Sequence, residues 1–266
     1  VKVKFLPLVA GKDALKKIEM IKEKIILLDN VRFLDDETDI GKNNNVIVDF
    51  ARNFDVFVQD AFSVCHRAHA TTVLIPKILK SCIGPNVEEE IRNINKLMKS
   101  TPLLLIVGGK KIEDYFPILS LLKRDKRNKL LASGYFDFLI RISQGFDYGA
   151  QNKLMDEMKF VDEIRNLYSS FSDQIMLPVD YGIKDKDGRK EIQLAEFPCE
   201  CRICDIGEKT IKLFSREIEK AKSIFIKGAL GCAEDKRFSN GTVSVLKAIV
   251  KSKKFSFISG GSVSTA

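Results

Sequence analysis

The sequence has no apolar run approaching the ~20 residues needed to cross a bilayer, and no signal-peptide pattern opens it at Val1. The expectation is a cytoplasmic protein without a membrane partner. Histidine is almost missing, with only His66 and His69 present. Cys199, Cys201 and Cys204 make a C-x-C-x-x-C cluster, but both histidines lie far from it and no second ligand pair accompanies it, so the cluster reads as strand or loop thiols rather than a zinc site. The six cysteines have no framework spacing, which excludes a disulfide scaffold and points to reduced thiols. No self-similarity at a solenoid period is present. Nor is there a block of like charge: 44 Lys+Arg against 36 Asp+Glu give +8 spread along the chain. That distribution argues against nucleic acid, whose binders cluster their basic residues, and fits small anionic ligands or simply a lysine-rich surface.

What is present is a globular balance, 45% hydrophobic and 30% charged over 266 residues, enough for two domains or one large α/β unit. Short apolar runs alternate with helical periodicity. Strands are predicted at Lys24–Leu28, Asp55–Gln59, Leu103–Val107, Lys129–Ala132, Ile175–Val179, Ser223–Ile226 and Ser256–Ile258. Helical patterns cover Asn45–Arg52 and Glu88–Ser100, the latter with Ile91, Ile94, Leu97 and Met98 on one face. Parallel neighbours need crossovers of about a dozen residues or more, so this alternation predicts parallel sheets built from βαβ units. Four strands run into glycine: Gly108-Gly109, Gly134 after Ser133, Gly228, and Gly260-Gly261. Each alone suits a tight strand-to-helix turn. Together, at equivalent places beyond strand ends, they point to a phosphate-bearing ligand approached by backbone N–H groups.

Both histidines fall in Gln59–Thr72, QDAFSVCHRAHATT, on either side of Arg67. His66, Arg67 and His69 after a strand suit a carboxylate or phosphate, and would equally suit an ordinary surface loop. With DNVRF at Asp29, GGKKIEDYF at Gly108, LPVD at Leu177, DIGEKTIKLF at Asp205, GALGCAEDKRFSNGT at Gly228 and SGGSVSTA at Ser259, in that order, the chain resembles the phosphoglycerate kinase family over nearly its whole length. The VKFL start, the GGKKIEDYF wording and the final glycine turn without its usual Asp resemble the archaeal branch. Measured against the family, the chain looks truncated at both ends: the D-x-N and H-x-G-R substrate motifs would precede Val1, and a closing segment would follow Ala266.

The resemblance implies two doubly wound, Rossmann-like α/β domains facing a cleft. It places a phosphoglycerate-binding domain at 1–85, an interdomain helix at 86–100 and a nucleotide-binding domain at 101–266. It implies reversible phosphoryl transfer between 1,3-bisphosphoglycerate and ADP, giving 3-phosphoglycerate and ATP with Mg2+, directly and in line after hinge closure, by a monomer. Arg32, Arg67 and His69 resemble the phosphoglycerate-binding residues. Gly109, Gly134, Gly228, Gly231, Gly260, Gly261 and Ser262 resemble the nucleotide turns, Glu234 resembles the ribose-binding carboxylate, and Lys111 with Gly260 and Gly261 resembles the catalytic set. A metal ligand is not identified. Several positions depart from the pattern. Tyr115 stands where the family has a second lysine, Lys110 where it has a small residue, Lys227 where Asn is usual, Ser133 and Ala229 at a glycine and a proline, and Ser262 at the metal-linked Asp. Those departures keep open an alternative, a diverged relative that binds adenine nucleotide without turnover.

Overall fold

A computed structural model describes residues 1–154, 156–186 and 188–261, in two compact units, Val1–Asn93 and Ile94–Ala266.

In the first unit, β1 (Val3–Leu6), α1 (Lys12–Met20) and β2 (Ile25–Leu28) form one parallel pair, and α2 (Val46–Ala51), β3 (Val56–Gln59), α3 (Ile75–Ile78) and β4 (Lys80–Ile83) build a second. The polar residues that sequence patterning leaves unassigned set the helix starts. Asn45 accepts the N–H groups of Ile47 and Val48 at 3.0 and 3.2 Å, capping α2. Asp60, just past β3, accepts those of Asn86 and Val87 at 2.8 and 3.1 Å and so ties the strand end to α4 (Pro85–Lys99). The core is small, centred on Ile47, Ala51, Ala70 and Ile75. Phe5, Ile25, Leu27, Val56, Val58 and Ile83 leave apolar strand faces exposed.

The second unit is built on one five-stranded parallel sheet. The chain runs through β5 (Leu103–Val107), α5 (Phe116–Arg124), β6 (Lys129–Ala132), α6 (Gly134–Ser143), α7 (Val161–Phe171) and β7 (Ile175–Met176). It then makes a three-stranded antiparallel sheet of β8 (Asp180–Asp185), β9 (Gly188–Gln193) and β10 (Arg202–Ile206), ordered β10-β8-β9. It returns through α8 (Glu208–Lys220), β11 (Ser223–Lys227), α9 (Asn240–Ser252) and β12 (Phe255–Ser259). The parallel order is β12-β11-β5-β6-β7. β5 is apolar at every position because helices cover both faces: Leu103, Leu105 and Val107 pack with α5 and α6, and Leu104 and Ile106 with α8 and α9.

The periodicity predicts β2, β3, β5, β6, β11 and β12 to within a residue or two. It does not predict β1, β4 or the antiparallel sheet, and the strand predicted at Ile175–Val179 ends at Met176. Beneath the antiparallel sheet the Asp137 carboxylate is fully buried, accepting from Tyr181 Oη at 2.6 Å with Arg141 Nε 3.3 Å away. Burial pushes this carboxyl up to about 7, against the pull of Arg141 and Tyr181. A carboxyl raised on folding keeps its proton in the folded chain over pH values where the unfolded chain has lost it. Its stabilising contribution is therefore present below pH ~4 and lost as pH rises through about 7. Denaturant unfolding between pH 4 and 7 will show a downward slope in stability that Asp137→Asn flattens; equal slopes in the two proteins would refute this placement of the proton.

Candidate functional site

The sheet order fixes where a ligand binds in the second unit. Successive connections leave β5 toward β6 on one side and later toward β11 on the other, so the β5/β11 boundary is a topological switch, and a crevice opens beyond the carboxyl ends of those strands. Gly108-Gly109 follows β5, Ser133-Gly134 follows β6, and Gly228 follows β11. These turns are in mutual contact. Gly108 N–H donates to Lys227 O at 2.9 Å, Ser133 N–H to Val107 O at 2.9 Å, and Tyr135 N–H to Gly109 O at 3.1 Å. Gly134 requires glycine on two counts: its φ is +59°, and a Cβ there would sit 2.7 Å from Gly109 O.

Two cavities share this crevice. One is walled by Tyr135, Phe138, Tyr181, Ile203 and Leu230, an apolar slot that Gly134 also lines. The other is lined by Lys110, Lys111 and Lys227 together with Gly108, Gly228, Gly260 and Gly261. Gly109, Gly231 and Arg202 border both, so the two adjoin. A slot for a flat apolar heterocycle leading into a cationic trough with backbone at its rim has the chemistry of a nucleotide site. Glu234 lines the trough. Beneath the turn that holds Gly231, buried Asp205 accepts from Arg189 Nη1 at 2.5 Å and from Gly241 N–H at 2.9 Å.

The structure thus gathers Gly109, Lys111, Gly228, Gly231, Glu234, Gly260 and Gly261 about one trough, with Gly134 at the adjoining slot; Ser262 lies outside the described residues. The departures also acquire places. The Tyr115 hydroxyl donates to the Gly108 carbonyl and is buried, a strut under the glycine turn, and burial pushes its phenol well up. Lys227 lines the trough and lies 3.2 Å from Asp114. Lys110 turns over the Tyr135 ring, 5.6 Å from its centroid. In sequence Lys227 is marked only as a departure from Asn; the pairing of β11 with β5 brings it beside Gly108.

In the first unit Arg32 lies on the turn after β2, its N–H held by Asn30 Oδ1 at 3.0 Å. Arg67 and His69 share one turn after β3, and Thr72 joins them: its hydroxyl donates to Arg67 O at 2.6 Å and accepts from His69 N–H at 3.1 Å. His69 Nδ1 is 3.5 Å from Glu37 Oε1, and buried Glu37 also accepts from Thr71 Oγ1 at 2.6 Å. The histidine ring is thereby oriented, whereas Arg32 and Arg67 are exposed and enter no ion pair among the described residues. His66 is exposed on the same turn. Thr72 and Glu37 are site-shaping residues that motif reading passes over, although Thr72 stands inside the quoted segment.

Residues 1–266 match the family described as Phosphoglycerate kinase. A phosphoglycerate kinase of Methanopyrus kandleri is 31% identical over 98% of this chain and 68% of its own length. One from Archaeoglobus fulgidus is 33% identical over 100% of the chain and 68% of its length. The crystal structure of phosphoglycerate kinase from Pyrococcus horikoshii superposes with a TM-score of 0.87 at 27% identity, covering 98% of this chain and 69% of that one. The Coxiella burnetii enzyme superposes at 0.76 with 26% identity, over 91% and 63%. The chain therefore spans about two thirds of the length of these relatives.

Proposed function

The chain belongs to the phosphoglycerate kinase family, phosphotransferases that move a phosphoryl group reversibly between 1,3-bisphosphoglycerate and ADP in glycolysis and gluconeogenesis, and from that premise we propose how its residues divide the work. The Val1–Asn93 unit takes 3-phosphoglycerate, and the Ile94–Ala266 unit takes the nucleotide. An apolar slot adjoining a lysine-lined trough at the β5/β11 switch is the observation that carries this reading.

Adenine occupies the slot between Tyr135, Phe138 and Leu230, with Gly134 and Gly231 letting the backbone approach. Glu234 accepts from ribose hydroxyls. The phosphates lie along the trough, where Gly260 and Gly261 offer backbone at the end of β12. Lys111 places an ammonium where charge builds on the transferring group, and Lys227 stands in for the lysine that Tyr115 displaces. Magnesium, which enters with ATP or ADP in this family, offsets charge on the phosphate oxygens when bound. Of the trough carboxylates Asp114 is already engaged by Lys227, so phosphates and water would provide most of the magnesium ligands, with Ser262 a neutral neighbour in sequence. No covalent enzyme intermediate is needed, because positioning and charge stabilisation account for this kind of transfer.

Arg32 and Arg67 hold the phosphate of phosphoglycerate with charge-assisted bonds, and His69, braced by Glu37, completes that pocket. Arg67→Ala will raise KM for 3-phosphoglycerate by about tenfold or more and leave KM for ATP nearly unchanged. Equal effects on both constants would take Arg67 out of the phosphoglycerate pocket. The reading as a whole is tested by Mg2+- and ATP-dependent phosphorylation of 3-phosphoglycerate, coupled to a downstream reduction that draws off the product. Turnover supports it; tight ATP binding without turnover would select a relative that has left catalysis. A cytoplasmic monomer completes the proposal. No helix among the described residues is long and apolar enough to cross a membrane.

A further inference from the structure

Phosphoryl transfer leaves unused two thiols in the wall of the apolar slot. Cys204 lies within β10 and is buried; Cys232 lies in the turn after β11 and is half-buried; both line the slot. Their backbones are neighbours, since Cys232 N–H donates to Cys204 O at 2.7 Å. This bond makes the two residues adjacent in the fold, as a disulfide requires. Gly231 enforces the approach: a Cβ there would lie 2.6 Å from Cys204 O and 2.8 Å from Asp205 Cα, so only a residue without a side chain presses this turn onto β10.

The side chains complete the pair. The two thiol groups interact, which lowers Cys232 from the ordinary thiol range and raises Cys204. Arg202 and Lys110, which border the same slot, reinforce the Cys232 thiolate, while burial and Glu234 oppose it. The other cysteines are placed differently: Cys65 and Cys82 are exposed in the first unit, and the Cys199 thiol donates to Cys201 O at 3.6 Å.

We propose that Cys232 and Cys204 are a peroxide-oxidisable dithiol site whose disulfide closes across the nucleotide slot and weakens nucleotide binding. The Cys232 thiolate attacks one oxygen of hydrogen peroxide, the O–O bond breaks, and hydroxide leaves and is protonated to water, giving a sulfenic acid. The Cys204 sulfur then displaces that hydroxyl, forming the S–S bond and releasing a second water with the Cys204 proton. Two thiols lose two electrons, and one peroxide is reduced to two waters. A dithiol reductant reverses the change. The effect on nucleotide rests on the assignment of the slot to adenine; the bond itself does not.

The chain is treated with hydrogen peroxide, its remaining thiols are blocked, and it is digested without reduction for mass spectrometry, while affinity for a fluorescent ADP analogue is followed before and after. The expected result is a cross-linked peptide pair joining Cys204 to Cys232, a rise in the dissociation constant of about tenfold, and recovery with dithiothreitol. Saturating ADP slows the linkage. In Cys232→Ser the affinity, compared with that variant's own untreated value, does not respond to the cycle. Peptides with both thiols unlinked, or linked only through Cys65, Cys82, Cys199 or Cys201, would overturn the site. A Cys204–Cys232 bond with unaltered affinity supports the site and overturns its coupling to nucleotide. A reduced chain that binds no ADP at all overturns the nucleotide reading instead, and the peptide map alone then decides the site.

Discussion

Lys111→Ala will lower turnover by about a hundredfold or more, with KM for ATP changing by no more than about threefold. Lys111 lines the trough that begins at the end of β5, among glycine turns that offer backbone rather than charge. In the role proposed for it, its ammonium acts on charge that develops as the phosphoryl group leaves one oxygen for another, so its removal raises the barrier more than it weakens ground-state binding. A preorganised donor of this kind is worth about 2.7–4 kcal/mol. Lys110 provides the contrast: set over the Tyr135 ring beside the slot, its replacement by alanine will act on KM more than on turnover. Steady-state kinetics with both substrates varied separates these outcomes. Unchanged turnover in Lys111→Ala would remove that residue from the chemistry and leave Lys227 as the principal cation.

The second large effect is on stability. Asp205→Ala will destabilise the second unit by about 3 kcal/mol or more, the range for breaking a buried ion pair by deleting one partner. For a domain of this size that lowers Tm by roughly 6–12 °C. The Asp205 side chain is fully enclosed and joins three segments: its own strand β10, Arg189 on β9, and Gly241 in the first turn of α9. Alanine leaves the Gly241 N–H without its acceptor and Arg189 with Glu191 as its remaining carboxylate, 2.7 Å away. Asp205→Asn, which keeps an acceptor oxygen but not the charge, will fall between alanine and wild type. Calorimetry that finds alanine within 1 kcal/mol of wild type would mean that Arg189 relaxes onto Glu191 and solvent without cost.

How far these features are legible in the sequence depends on whether their cause is local. β5 is five apolar residues ending in two glycines, and both its burial and its exit turn follow from that run. The antiparallel sheet is hidden because DYGIKD and GRKEIQ mix charge with apolar residues: these two strands pair locally, whereas β10 joins β8 at long range, with Arg189 of β9 tied to Asp205 of β10. The site divides along the same line. Lys111 and the glycine turns belong to contiguous motifs, whereas Lys227 beside Asp114, Thr72 between Arg67 and His69, and Tyr115 beneath Gly108 are produced by tertiary neighbours. Tyr115 is the instructive case. Read against the family it is a lost charge, while in the fold it is a gained strut.

β5 lies between β6 and β11, inside the sheet and covered on both faces, and three of the four glycine turns proposed to meet the nucleotide continue these strands, the fourth following β12 at the sheet edge. Fraying of edge strand β12 would loosen only the Gly260-Gly261 contacts; the interior turns release a ligand through the open crevice or with collapse of the whole unit. Nucleotide occupancy is therefore linked by mass action to global unfolding, contributing about 2.7 kcal/mol when ADP stands at a hundred times its dissociation constant. The adenylate pool of a cell would then set how long this half of the chain survives heat and proteolysis.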